Sequence, residues 1–87
     1  MNTIQLDALN AFVKYAFDKN ERFYFEKLSD ETVEIAGTGF FISINNRGHY
    51  YLNGEKTDFP RMILIMNYLR EIKLINTHFK KTTLPEL

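Results

Sequence analysis

The sequence predicts an α+β fold: an N-terminal helix, an antiparallel β-meander of four to five strands, and a C-terminal helix packed on the sheet, followed by a short tail. Three observations carry this prediction. Gly39 to Asn53 (GFFISINNRGHYYLN) alternates apolar and polar residues around an Asn-Asn-Arg-Gly turn. Asn53-Gly54 is a second turn signal, of the two-residue type I′ kind. The segments on either side of the strand region carry apolar residues at helical spacing.

The N-terminal helix is expected over residues 3–19. Asn2 or Thr3 caps it, and the Asn2 to Gln5 spacing resembles a capping box. Leu6, Leu9, Val13, Ala16 and Phe17 form its apolar side, with Ile4 and Phe12 beside them. Asp7, Asn10, Lys14 and Asp18 share the opposite side, and Asn20 is the stop. Two strands follow, 22–28 and 32–36, joined by Ser29-Asp30-Glu31. A short loop sets Leu28 opposite Val33 and Lys27 opposite Glu34, an oppositely charged cross-strand pair. The first of these strands has rings on both faces, Phe23 and Phe25 against Tyr24, which leaves its inward side undecided.

The central hairpin is better determined. A type I turn at Asn45–Gly48 with a glycine bulge sets Ile44 opposite Tyr50 and Ile42 opposite Leu52. The aliphatic residues then share one face with Phe40 and Tyr50, and Phe41, Ser43, His49 and Tyr51 share the other. A slip of one residue would reverse every side chain, so register and face are a single expectation. Asn53-Gly54 returns the chain along Glu55–Thr57, with Lys56 opposite Tyr51. The second helix begins at Asp58-Phe59-Pro60, since proline suits a first helical turn. Met62, Ile65, Leu69 and Ile72 form its central stripe, flanked by Leu64, Met66 and Tyr68; Asn67, Arg70 and Glu71 lie opposite. Residues 76–87 lack a helical period and are expected as an arm or a short strand at 77–82. Residues 1–87 together are read as one domain.

With 87 residues, the chain buries about two-thirds of its unfolded surface, for a stability of roughly 4–13 kcal/mol. Eight Phe and five Tyr are more ring surface than so small a core encloses, so some rings are expected at a partner. The absence of cysteine excludes disulfides, thiolate metal sites and cysteine nucleophiles. The longest apolar run, MILIM, is far short of a membrane span, and the N-terminal residues lack a signal-peptide pattern. A cytoplasmic protein without membrane contact is therefore expected. Net charge is zero but uneven: residues 1–58 hold nine acids and six bases (−3), residues 59–87 five bases and two acids (+3).

Neither His49 nor His78 has companions at metal-ligand spacing, and no phosphate-binding, dinucleotide-binding or nucleophile-elbow motif occurs. No enzyme activity, cofactor or metal is expected. The candidate partner-binding residues are Phe41, Arg47, His49, Tyr51 and Lys56, because rings and cations on one sheet face suit recognition. The expected function is that of a small binding or regulatory protein working through protein–protein contact. It is expected to act as a homodimer, with Ile63 or Tyr68 at the contact. A bias toward Asn, Ile, Lys, Phe and Tyr fits an AT-rich genome such as many phages have, and with it an inhibitor or accessory role. The alternative is single-stranded nucleic-acid binding through the same rings and cations.

Overall fold

A computed structural model describes the backbone of residues 1–83 and the side chains of residues 1–72. The chain forms α1 (Thr3–Asp18), β1 (Phe23–Leu28), β2 (Thr32–Gly37), β3 (Phe40–Asn45), β4 (Tyr50–Leu52), β5 (Glu55–Thr57) and α2 (Phe59–Thr83). The strands make one antiparallel sheet in the order β1-β2-β3-β4-β5. This is the expected α+β meander between two helices.

The α1 helix is closed at both ends by its own sequence. The Asn2 side chain accepts the Gln5 N–H at 2.7 Å, and the Gln5 side chain accepts the Asn2 N–H at 3.2 Å, a complete capping box. At the far end Asn20 has φ +53°, and the Asn20 and Glu21 N–H groups bond to the Phe17 and Ala16 carbonyls. That pattern is a Schellman motif with asparagine in the left-handed position.

Which side of α1 is buried differs from the expectation. Gln5, Leu9, Phe12, Tyr15 and Ala16 face the core, whereas Ile4, Leu6 and Phe17 are exposed. The buried arc is rotated because it includes two residues with polar ends. The Gln5 side-chain oxygen is held by the cap while its buried amide nitrogen has no partner among the described residues, and Tyr15 buries its ring while its hydroxyl bonds to α2.

The β3–β4 hairpin has the expected register, Ile42 with Leu52, Ser43 with Tyr51, and Ile44 with Tyr50. Gly48 has φ +78° and donates to the Asn45 carbonyl at 2.9 Å, while the Asn45 side chain accepts the Arg47 and His49 N–H groups. The turn also seats α1. The Asn2 side-chain amide donates to the Asn46 carbonyl at 2.7 Å, and a Cβ on Gly48 would stand 2.6 Å from Ile4. Asn53 and Gly54 both have positive φ, as a type I′ turn requires, and the Asn53 side chain accepts the Phe41 N–H.

Both helices lie on one side of the sheet, α1 on β3 and α2 on β4. Val33, Ile35, Phe40, Ile42, Ile44, Tyr50 and Leu52 point toward them and enclose Leu9, Phe12, Tyr15, Ala16, Met62 and Met66. Tyr50 donates its hydroxyl to the Ala8 carbonyl at 2.6 Å, and burial raises its pKa to about 12. The interior line of α2 is Met62 and Met66, one turn apart, with Ile63 and Ile65 partly buried beside them. Leu64 and Tyr68 are exposed, and Leu69 is half-buried, so the expected Met62–Ile65–Leu69 stripe is displaced. Ile63 packs against the core, which leaves Tyr68 as the exposed member of the expected dimer contact.

Arg70, expected on the solvent side, ties three segments together. Its Nη2 donates to Glu21 at 2.8 Å and to the Tyr15 hydroxyl at 3.0 Å; its Nη1 donates to Asn67 at 2.8 Å. The guanidinium also lies 5.6 Å from the centre of the Tyr15 ring. The strand expected at 77–82 is absent, because α2 continues to Thr83. No glycine or proline interrupts this stretch, and Pro85 stands two residues past the helix end. Residues 84–87 of the expected arm lie outside the described residues.

Gly48→Val should cost at least ~2 kcal/mol, from positive-φ strain plus the clash with Ile4, whereas Asn46→Ala should be mild. A chemical denaturation midpoint for Gly48→Val equal to that of the wild type would refute the turn geometry. Met62→Ala should cost about 2–5 kcal/mol through the cavity it leaves. Arg70→Ala should cost about 1–3 kcal/mol, because partly buried Glu21 loses its charged partner. A silent Arg70→Ala would show that water replaces the guanidinium without loss.

Candidate partner-binding face

The side of the sheet away from the helices is built from two rows set by strand register. Lys27, Glu34, Ser43, Tyr51 and Lys56 are successive cross-strand partners. Tyr24, Ala36 and Phe41 form the neighbouring row. None of the residues in these rows belongs to the core cluster. Phe41 and Tyr51 are half-buried by their strand neighbours, and Lys56 is exposed. Since Tyr51 pairs with Ser43, Phe41 is its diagonal neighbour across β3 and β4.

The five expected residues do not converge on one point. Phe41, Tyr51 and Lys56 form a contiguous group over β3, β4 and β5. His49 and Arg47 sit at the turn end, where the Asn45 side chain holds both backbone N–H groups. Along β3 the turn is more than ~13 Å from Phe41, at ~3.3 Å per residue. Three participants were not in the expected set. Tyr24 is exposed and extends the ring row to the sheet edge, and Lys27 with Glu34 extends the charged row.

A β-bulge decides the facing of β1. Register passes from Phe25 with Ile35 directly to Lys27 with Glu34, so Glu26 is an extra residue. This sends Phe25 to the helix side and leaves Tyr24 and Lys27 together on the outer side. Regular alternation from Lys27 would have placed Phe25 outward; no turn residue or glycine in the sequence announces the bulge.

Charges on this face alternate in sign. Lys27 and Lys56 share a row with Glu34, and the neighbouring Glu26 carboxylate raises the pKa of the Tyr24 hydroxyl. A field of that kind does not form the concentrated basic surface that phosphate backbones select. Among the described residues no cluster of three or more His, Asp or Glu side chains is placed to hold a metal ion. No described helix is long and apolar enough to cross a membrane. An open cleft of about 410 Å³ lies between β5 and α2, lined in part by Glu55, Lys56, Asp58 and Arg61. Asp58 is already engaged there, accepting the Arg61 N–H at 2.9 Å as the cap of α2.

Comparison with protein-family models, curated proteins and solved structures finds nothing that matches this chain.

If that face is a surface and not a core, truncating Phe41 and Tyr51 together to alanine should cost about 1 kcal/mol or less of lost cross-strand contact. Thermal denaturation checks this: a double variant that is unfolded at room temperature would place the rings in the core.

Proposed function

We propose that this chain is a small, non-enzymatic binding protein that acts through protein–protein contact, as a homodimer, and uses the outer sheet face to dock its partner. The observation that supports this reading is a ledge of rings, Tyr24, Phe41 and Tyr51, on a sheet side that carries no helix. Rings of this kind act as interface anchors, because they bring large contact area with few rotatable bonds. The interleaved charges favour a protein partner, since a surface with paired signs selects a complementary mixed surface. An inhibitor or accessory factor, of the sort mobile elements encode, is the role this design suits. It acts in the cytoplasm on this reading.

Single-stranded nucleic acid is the alternative, favoured by the same rings lying near Lys56, with Arg47 and His49 at the turn. The two readings differ in salt dependence. Affinity capture from the source cell, with and without nuclease, should retain a specific protein that the Phe41→Ala, Tyr51→Ala variant loses. Fluorescently labelled single-stranded DNA and RNA should bind only weakly. Tight oligonucleotide binding whose salt slope falls by about one unit in Arg47→Ala or Lys56→Ala would overturn the protein reading in favour of nucleic acid.

A further inference from the structure

One part of the helix-facing side of the sheet is left about half uncovered by the described residues. Phe25 is paired with Ile35, and Leu28 with Val33; Ile35 and Val33 are fully buried, yet Phe25 is 45% and Leu28 56% exposed. The difference is position. α1 packs mainly on β3 and α2 on β4; β1 is reached at Phe23, whose ring meets that of Phe12 at 5.4 Å, while Phe25 and Leu28 lie largely outside the helices' cover. The flank of α1 nearest β1 is apolar too. Leu6, Val13 and Phe17 share that flank by helical spacing, and Leu6 is 46% and Phe17 82% exposed. Phe17 lines one cleft with Val13 and Phe23, and the Phe23 ring meets that of Phe25 at 5.7 Å. The opposite flank of α1 is occupied, since Tyr15 bonds to Asn67 of α2.

We propose that this apolar flank and the free edge of β1 are the interface between two copies of the chain, with β1 pairing antiparallel to its counterpart about a twofold axis at Tyr24. The inference rests on the dimeric part of the proposed function and names its surface. Three arguments select a second copy. β1 pairs only with β2, so its outer edge presents unpaired N–H and C=O groups, the groups that β-augmentation uses. The bulge after Phe25 bends the far end of that edge, which leaves the stretch around Tyr24 as the regular part.

In the register centred on Tyr24, Phe23 of each copy stands opposite Phe25 of the other, and Arg22 comes nearest Glu26, the bulge residue just past that stretch. The edge is thus charge-complementary to itself, as an isologous contact requires. Area is the third argument. Leu6, Phe17, Phe25, Leu28 and Tyr24, itself 60% exposed, together expose on the order of 600 Å² per copy at ~200 Å² for a large apolar side chain. The backbone edge and the polar rim bring this toward the ~800 Å² per partner of a stable interface. Pairing also joins the outer faces, so that the Tyr24–Ala36–Phe41 row of one copy continues into that of the other.

Light scattering of the full chain at tens of micromolar should give a dimer mass. Phe17→Glu with Leu28→Glu, both outside the core cluster, should give a monomer with an unchanged circular dichroism spectrum. Leu64→Glu with Tyr68→Glu, on the exposed side of α2, should leave the dimer intact. Arg22→Glu alone should raise the dimer dissociation constant by about tenfold, from two ion pairs turned into two repulsions, and adding Glu26→Arg should restore it. A dimer that survives the Phe17 and Leu28 changes, or that dissociates with the α2 changes, would overturn this interface while leaving a dimeric binding protein. A monomeric wild type would overturn the interface and the dimeric reading together. Failure of Glu26→Arg to restore pairing would overturn the register.

Discussion

The turn at Asn45–Gly48 is the constraint on which the rest of the molecule depends. It fixes the pairing of Ile44 with Tyr50 and Ile42 with Leu52, and in a sheet that choice assigns every side chain of both strands to a face. The inner set becomes the floor of the core; the outer set becomes the candidate binding ledge. The same turn receives α1. Asn2, whose side-chain oxygen caps the helix, uses its amide nitrogen to hold the Asn46 carbonyl, and Gly48 leaves the space that Ile4 fills. One four-residue turn therefore sets sheet register and positions the helix that covers it.

A sheet covered on one side only has two different surfaces to account for. The covered side is closed by α1 and α2 over β2 to β4, and there the aliphatic residues are excluded from water almost completely. Burial fades along β1, where α1 reaches Phe23 but leaves Phe25 and Leu28 exposed. The uncovered side has rings at a density that solvent alone does not favour, tempered by Lys27, Glu34 and Lys56 along the adjoining row. Both unspent apolar surfaces meet at β1, which carries Phe25 to one side and Tyr24 to the other. The edge strand is thus where the binding ledge and the open core flank become continuous.

Polar side chains account for much of how the helices are oriented. Tyr15, Asn67, Arg70 and Glu21 form one hydrogen-bonded group linking α1, the segment after it, and α2. Because each member satisfies another, the group sits partly buried without an unpaired charge. This pulls Tyr15 inward and lets Phe17, a more hydrophobic residue on the opposite flank, remain in water. A helix face chosen by hydrophobicity alone is then rotated from the one the fold buries.

Local chemistry determined what the sequence determined. The capping box at Asn2–Gln5, the stop at Asn20, the glycine bulge at Gly48 and the Asn53-Gly54 turn each act within a few residues. The α+β order, the meander and the membership of Phe41 and Tyr51 in one outer face were legible for that reason. Three features depended on distant partners and were legible only in the tertiary structure. The rotation of α1 depends on Asn67 and Arg70, about fifty residues along the chain. The facing of β1 depends on a bulge that becomes defined only against β2. The shift of the α2 core line to Met62 and Met66 depends on where β4 lies beneath it. In each case the choice between faces is made by what packs against them, which local pattern does not contain.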